Sequence, residues 1–248
     1  MWKKYPLKNG KVISYNDEQH MYYVDDKKVA SVTGICGRGV PKPSLTNWLV
    51  YTPLKEAKDL INRKLDNNEP LDRAELERIF KVAKEKTNKI KEDAGLVGSV
   101  VHGLVEDFLK GKSIPAQKDK AVVNCWNIFF EWWNKQEYTV VELEKKIYSA
   151  KYNYAGTLDL VVKDKKGNLV LIDIKTSNHI SFDYHLQLNA YTYAYEEETK
   201  SKIHSSYIVR LPKKDGNIEI KEIPLSKKLF NAFIGAKYIM ETMESSKQ

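Results

Sequence analysis

The sequence has few of the residues that build cross-linked or membrane-inserted scaffolds. Its 248 residues include two cysteines, Cys36 and Cys125. Two cysteines cannot supply a disulfide framework, a paired CxxC zinc site or a four-cysteine iron–sulfur cluster. There is no run of about 18 apolar residues, which a membrane-spanning helix needs. The first residues, MWKKYPLKNGKVISY, also lack the apolar stretch of a signal peptide. We therefore expect a cytoplasmic protein with no membrane partner.

Positive charge, in contrast, is abundant. The chain has 41 lysines and arginines against 33 acidic residues, which gives a formal net charge of +8 and a pI near 9.1. Such an excess favours a polyanionic partner. The hydrophobic fraction of 42% is sufficient for a sizeable core. The length allows one large domain, or a core with an accessory region.

The segment between Gly156 and Thr176 reads GTLDLVVKDKKGNLVLIDIKT, in which two apolar runs flank the turn KDKKGN. Asp159 lies seven positions before Lys166 and Asp173 seven after it. A simple hairpin centred there would set the two acids opposite each other, with Cβ atoms about 4.5–5.5 Å apart. Lys175 shares a face with Asp173, because strand side chains repeat with period two. The pattern predicts a divalent-metal site with an attendant lysine. A buried ion pair is the alternative.

The hydrophobic pattern predicts helices packed on a mixed sheet. Residues 1–35 read as β, and 44–94 as helical in two pieces that are broken near residues 67–70. Further helices are predicted at 99–110, 119–136, 183–198 and 226–244. Strands are predicted at 139–150, 154–163, 169–176, 203–211 and 217–223. This order, with hairpins in it, indicates an α/β fold with a mixed sheet.

Several short motifs follow one another in a fixed order. SVTGI and KPSLTNW come first, then GSVVHGLVEDFL, then GTLD, DIKT and QLNAY. From about Tyr15 to Leu211 the series resembles the PD-(D/E)XK nuclease superfamily in its RecB-like exonuclease branch, including phage-type exonucleases and the mitochondrial genome maintenance exonuclease. The resemblance implies a restriction-endonuclease-like core, a central mixed sheet flanked by helices. We expect residues 1–94 to form an N-terminal β-hairpin and a helical lid or DNA channel, and 95–248 the nuclease core, within one compact unit.

The chemistry of phosphodiester hydrolysis fits the hairpin acids. The reaction needs a nucleophilic water, neutralised charge in the transition state and a stabilised leaving oxygen, and one or two divalent cations can meet all three needs. Mg²⁺ takes oxygen ligands and keeps several waters, so Asp159, Asp173 and the Ile174 carbonyl would suffice. Lys175 would position or help to deprotonate the water and stabilise negative charge. The resemblance adds His102 as a ligand, and its imidazole shifts the preference towards Mn²⁺. A packing residue on the apolar face of its helix is the alternative for His102.

Four other side chains are candidates around this site. The resemblance implies that Gln187 lies near the phosphate or the nucleophile and Tyr191 near the lysine or the DNA backbone. For Tyr191, packing of an aromatic stripe on the sheet is the alternative. Glu106 is either a partner of the metal site or a solvated acid. Glu144, fifteen positions before Asp159, either faces the site or is an exposed strand residue.

Contacts to DNA are expected from outside the hairpin as well. The candidates for phosphate contacts are Thr176, Ser177, Arg210 and the lysines of the basic segment 78–91, including Lys81 and Lys84. Trp48 or Tyr51 could stack on unpaired bases. Each has a structural alternative, since strand ends and solvated helix faces carry the same residue types.

We therefore expect a metal-dependent DNA exonuclease that uses Mg²⁺ or Mn²⁺ and acts on single-stranded or end-frayed DNA, in a bacterial or phage-infected cell. A closed channel would demand a free end. One alternative is a catalytically inactive DNA-binding or scaffold protein that keeps the nuclease fold. Another is a CRISPR-adaptation or restriction-like endonuclease without an iron–sulfur cluster. Phage recombination or replication, host repair and organellar DNA maintenance all remain open as pathways.

Overall fold

The computed structural model of the protein describes residues 2–7, 10–16 and 18–246. Within these residues the strands are β1 (Trp2–Pro6), β2 (Val12–Asn16), β3 (Met21–Val24), β4 (Lys27–Ser31), β5 (Thr139–Ser149), β6 (Tyr154–Lys163), β7 (Leu169–Lys175), β8 (Ile203–Arg210) and β9 (Glu219–Glu222). The helices are α1 (Val32–Gly39), α2 (Pro43–Asp66), α3 (Arg73–Leu109), α4 (Lys120–Trp133), α5 (Phe182–Thr199) and α6 (Lys227–Ser245).

The strands form one mixed sheet. Its order is β1-β2-β3-β4-β6-β7-β8-β9, and β5 pairs with β6 along the length of both strands. The pair β7–β8 is parallel and is connected through α5, because parallel neighbours need a crossover. The main core includes residues of the central strands and of α1, α5 and α6. The predicted α/β fold, a mixed sheet flanked by helices, is confirmed.

The predicted hairpin forms as β6 and β7. Its ladder runs from the pair Leu160–Ile172 to the pair Lys163–Leu169, which is the register expected for a turn centred on residue 166. The ladder ends one pair before the two acids, however. Asp159 and Asp173 are therefore not partners in the ladder, and other contacts position each of them.

The N-terminal region is larger than the expected hairpin. Strands β1 to β4 form an antiparallel meander, and β4 pairs in parallel with the start of β6 at Ala30–Tyr154 and Ser31–Ala155. Tyr148 of β5 shares a buried cluster with side chains of these strands. The chain then turns into α1, which the sequence did not predict, with the Ser31 hydroxyl accepting a hydrogen bond from the Gly34 amide as the N-cap.

The chain divides into two compact units, Met1–Val40 with Val100–Gln248, and Pro41–Ser99. This differs from the expected division at residue 94, because β4 pairs with β6 and so belongs to the same unit as residues 100–248. The break expected near residues 67–70 separates α2 from α3. Helix α3 is continuous through Gly95 and Gly98, where two helices were expected. No helix of the described residues is long and apolar enough to cross a membrane.

Candidate active site

Three side chains of the first unit converge, each from a different element. They are His102 from α3, Glu144 from β5 and Asp159 from β6, and one ligand atom of each lies within 4.8 Å of the other two. The His102 Nδ1 atom is 3.7 Å from Asp159 Oδ2 and 3.9 Å from Glu144 Oε1. The predicted metal-binding set contained His102 and Asp159. Glu144, which the sequence left ambiguous, completes this group.

Glu144 reaches the group through an unusual backbone conformation. It lies between the ladder pairs Leu143–Leu160 and Lys145–Leu158 of β5 and β6, and so across from Asp159. Its φ is 49°, in the left-handed region that few non-glycine residues adopt in a strand. Such strain costs of order 1–3 kcal/mol and is often found at functional sites. Strand periodicity could not have revealed this orientation.

Asp159 also anchors the end of the hairpin. Its Oδ2 atom accepts a hydrogen bond of 2.7 Å from the backbone N–H of Ile174. The N–H and C=O of one strand residue point towards the same neighbouring strand. The carbonyl of Ile174, a predicted metal ligand, is therefore directed towards β6 as well. The Lys175 carbonyl points the other way and accepts from the Leu211 amide at 2.7 Å.

Asp173 is fully buried and is not a member of this group of three. Its Oδ2 atom is 2.6 Å from Lys175 Nζ, so the predicted proximity of the two side chains is present. The Lys175 ammonium also lies 5.0 Å from the centre of the Tyr184 ring. Asp173 thus contacts a lysine directly and differs from Asp159, which contacts the histidine.

Gln187 and Tyr191 of α5 extend the network. The Gln187 Nε2 atom donates to Asp173 Oδ1 at 3.2 Å and to the Tyr191 hydroxyl at 3.0 Å. Both side chains are buried. Gly156, the first residue of GTLD, lets the tyrosine approach, because a Cβ atom there would lie 2.7 Å from Tyr191 Cε1 and 3.1 Å from Val32 Cγ2.

Burial and neighbouring charges shift the pKa values of the site. Burial lowers the pKa of His102, but the Asp159 and Glu144 carboxylates outweigh it and raise that pKa to about 9. Burial also raises the pKa of Asp159. Burial raises the pKa of Asp173 to about 6 against the opposing effect of Lys175. Burial disfavours the charged lysine, yet Asp173 and Asp159 hold the pKa of Lys175 above its ordinary value. Lys175 is therefore a cation at neutral pH.

A cavity of about 610 Å³ opens onto the group. His102, Glu144, Asp159, Lys175, Gln187 and Tyr191 line it, together with Glu106 and Lys110 of α3. Glu106 pairs with Lys110 one turn further along the helix. The N-terminal strands contribute a further wall with tyrosine, lysine and histidine side chains. The sequence predicted a lid or channel from residues 1–94 but not which of its side chains line the cavity, because the β4–β6 pairing joins distant segments.

The remaining predicted contact residues are not among those that line this cavity. Thr176 is buried, and the Ser177 hydroxyl donates to the His179 carbonyl at 2.9 Å. Arg210 pairs with Lys175 in the β7–β8 register, but its Nε atom lies 2.6 Å from Glu219 Oε2. Trp48, Tyr51, Lys81 and Lys84 belong to the second unit, where Trp48 is half-buried and the other three are exposed.

The donor set fits a hard divalent cation. Two carboxylates and one imidazole at these separations could bind a single ion with small side-chain movements. Asp173 and the Ile174 carbonyl add oxygen atoms nearby. The group combines charge, burial and an open cavity, which a purely structural ion pair does not need.

Comparison with known proteins agrees with this arrangement. Residues 126–244 match the family model of the PD-(D/E)XK nuclease superfamily. That range includes Glu144, Asp159, Asp173, Lys175 and Gln187 but not His102. No curated protein matches the chain.

Two solved structures illustrate the structural similarity. SSO0001 has a TM-score of 0.38 and 13% identity, over 80% of this chain and 86% of that one. A protein named "Putative exonuclease" from Eubacterium rectale has a TM-score of 0.37 and 11% identity, over 60% of this chain and 65% of that one, just under two thirds of its length. The expected superfamily is confirmed by the family match, while the RecB-like branch stays a prediction. Residues 126–244 of the chain therefore carry the sequence pattern of the PD-(D/E)XK nuclease superfamily.

Proposed function

We propose that the protein is a divalent-metal-dependent deoxyribonuclease, and that it acts as an exonuclease on single-stranded or end-frayed DNA. The observation that carries the proposal is the convergence of His102, Glu144 and Asp159 beside Lys175 in one cavity. The match of residues 126–244 to a nuclease superfamily supports a nucleic acid substrate. The positive net charge of the chain also favours a polyanion.

His102, Glu144 and Asp159 would hold the ion, with Asp173 and the Ile174 carbonyl as additional oxygens. A bound Mg²⁺ or Mn²⁺ supplies a Lewis acid for the phosphate and lowers the pKa of a water ligand. Glu144 is the addition to the ligands expected from the sequence. Its left-handed φ of 49° is a strained backbone conformation, and strain of this kind is often retained where a side chain has to be aimed at a ligand.

Lys175 would stabilise the negative charge that develops on the phosphate oxygens. Its raised pKa keeps it protonated at neutral pH, so electrostatic stabilisation is favoured over proton abstraction. Gln187 would orient the Asp173 carboxylate. Its amide donates a hydrogen bond to one carboxylate oxygen, and the other oxygen pairs with Lys175. Tyr191 would in turn fix the orientation of Gln187 through the hydrogen bond between them.

The preference for a free strand end is the finer part of the proposal. The N-terminal strands add a wall to the cavity, so the substrate would enter a confined space. A single strand or a frayed end fits such a space more readily than an intact duplex does. Thr176, Ser177, Arg210, Trp48, Lys81 and Lys84 remain candidates for contacts to more distant phosphates.

The test is digestion of linear and covalently closed single-stranded DNA with Mg²⁺ or Mn²⁺. We expect the linear DNA to be degraded and the circles to survive. Asp159→Asn should abolish cleavage because it removes a charged ligand. Lys175→Met should lower the rate by roughly 100-fold or more. Asp107→Asn is the matched control, since this exposed acid of α3 pairs with Lys112 and does not line the cavity.

Each alternative has its own outcome. If circular and linear DNA are cut at equal rates, the protein is an endonuclease and not an exonuclease. Binding of DNA without metal-dependent cleavage by the wild type would favour the scaffold protein that keeps the nuclease fold. Full activity of Asp159→Asn would move the active site away from this group.

A further inference from the structure

One wall of the cavity has no part in the proposed hydrolysis. The N-terminal strands and the turn between β2 and β3 bring Tyr5, Tyr15, Tyr22 and His20 to it, and Lys146 of β5 lies beside them. The wall therefore combines aromatic rings with cationic side chains. Unpaired bases stack on aromatic rings and phosphates bind cations, so this composition suits a nucleotide.

The wall is fixed to the strand that carries Asp159. The Tyr15 and Tyr22 rings lie 4.6 Å apart between their centres. The Tyr22 and Thr157 hydroxyls form a hydrogen bond of 2.7 Å, and Thr157 lies two residues before Asp159 on β6. On the other side, the Tyr15 hydroxyl is 2.9 Å from His20 Nδ1. The distance between the wall and the proposed metal-binding group is thus set by a continuous chain of contacts.

Lys146 connects the wall to the proposed site. Its Nζ atom lies 4.8 Å from the centre of the Tyr15 ring and 5.6 Å from that of Tyr5. The same ammonium donates to the backbone carbonyl of Glu144 at 3.4 Å. Two aromatic rings and a carbonyl therefore hold a positive charge at the cavity surface, next to a residue that would hold the ion. A phosphate at this position would gain a charge-assisted hydrogen bond.

We propose that the wall is a nucleotide-binding subsite for the unit next to the scissile phosphate. Lys146 binds the phosphate of this nucleotide, and Tyr5 contacts its base. The subsite rests on the proposed function, because its ligand is part of the DNA substrate. A cavity of about 610 Å³ is in the range of small-molecule sites. The base must be unpaired to reach the Tyr5 ring, which gives a physical reason for a preference for single strands.

The experiment measures binding without hydrolysis. Thymidine 5′-monophosphate and thymidine are titrated into the metal-free protein in EDTA and followed by saturation-transfer NMR. Lys146→Met should raise the Kd for the monophosphate roughly tenfold or more and leave the Kd for thymidine unchanged. Tyr5→Ala should weaken the binding of both ligands by roughly fivefold or more. Lys163→Met is the control, since this exposed lysine at the end of β6 does not line the cavity, and both Kd values should stay as in the wild type.

Other outcomes overturn the subsite. A loss of monophosphate binding in Lys175→Met but not in Lys146→Met would put the phosphate at Lys175. An equal loss for thymidine and its monophosphate in Lys146→Met would give the lysine a structural role only. If either of these two results is found and the wild type still cleaves DNA, the subsite is rejected and the proposed function stands. Monophosphate binding that depends on Lys146, without DNA cleavage by the wild type, would reject the nuclease instead.

Discussion

At the scale of single residues, the site depends on two backbone positions. Glu144 adopts a left-handed conformation to join His102 and Asp159. Gly156 has no side chain, and this leaves room for the Tyr191 ring. The glycine of the GTLD motif is thus explained by a close approach and not by a turn. Glu144 supplies its own carboxylate to the group, and Gly156 supports Asp173 indirectly through Tyr191 and Gln187.

Gly156→Ala tests this close approach. A Cβ atom 2.7 Å from Tyr191 Cε1 must displace the ring, and with it the hydrogen bond from Gln187. We expect the free energy of unfolding to fall by about 1–3 kcal/mol in urea titrations, and DNA cleavage to fall with it. Gly235→Ala is the control. It lies in α6 with open space around it and should gain about 0.5–1 kcal/mol. Equal stability of the wild type and Gly156→Ala would contradict the packing argument.

At the scale of elements, the N-terminal strands matter most. They are attached to the nuclease core by the short parallel pairing of β4 with β6 and by a shared buried cluster. The hydrogen bond between Tyr22 and Thr157 adds a side-chain contact at the same junction. Removal of these strands would open the cavity and uncover the first residues of β6. The meander is therefore part of the site and not an appendage.

Tyr22→Phe measures the contribution of this contact. The substitution keeps the ring and removes the hydroxyl, so we expect a loss of about 1 kcal/mol in the free energy of unfolding. Tyr23→Phe is the matched control, because Tyr23 is half-buried on the neighbouring position of β3 and its ring packs against Trp2. It should change stability by less. A loss of the same size in both variants would mean that the hydroxyl of Tyr22 makes no special contribution.

At the scale of the whole molecule, the positive net charge raises the question of which lysines contact DNA phosphates. The net charge is +8, and the second unit carries a run of basic residues in which Lys81 and Lys84 are exposed. Binding of DNA through phosphates releases counterions, so the affinity falls linearly with the logarithm of the salt concentration. The slope of that line counts phosphate contacts. The measured slope therefore shows whether the second unit contributes phosphate contacts.

For Lys81→Met with Lys84→Met, we expect the salt slope for a single-stranded oligonucleotide to decrease by about one for each lysine. The measurement uses the Asp159→Asn background, so that the DNA stays intact. The paired control is Lys118→Met with Lys120→Met, two exposed lysines before and at the start of α4. The slope of the control should stay as in the parent. An unchanged slope in the first pair would assign Lys81 and Lys84 to a solvated helix face.

The local features of this protein could be predicted from its amino-acid sequence. The period of two and the symmetry of the hairpin around Lys166 predicted the register of β6 and β7 and the proximity of Asp173 and Lys175. The elements after residue 139 lie within a few residues of their predicted bounds. These features depend on neighbours along the chain. The motifs that resemble a nuclease superfamily are also short segments, so they could be recognised in the sequence.

The contacts between distant side chains, in contrast, became visible only in the folded chain. Glu144 joins His102 and Asp159 because β5 runs beside β6 with a backbone irregularity that periodicity cannot encode. The tyrosine wall reaches the cavity because β4 pairs with β6, across more than a hundred intervening residues. Asp173 pairs with Lys175 at 2.6 Å and does not join the group of His102, Glu144 and Asp159. Such convergence arises from pairing and packing between distant segments, and the pattern of a single segment does not predict it.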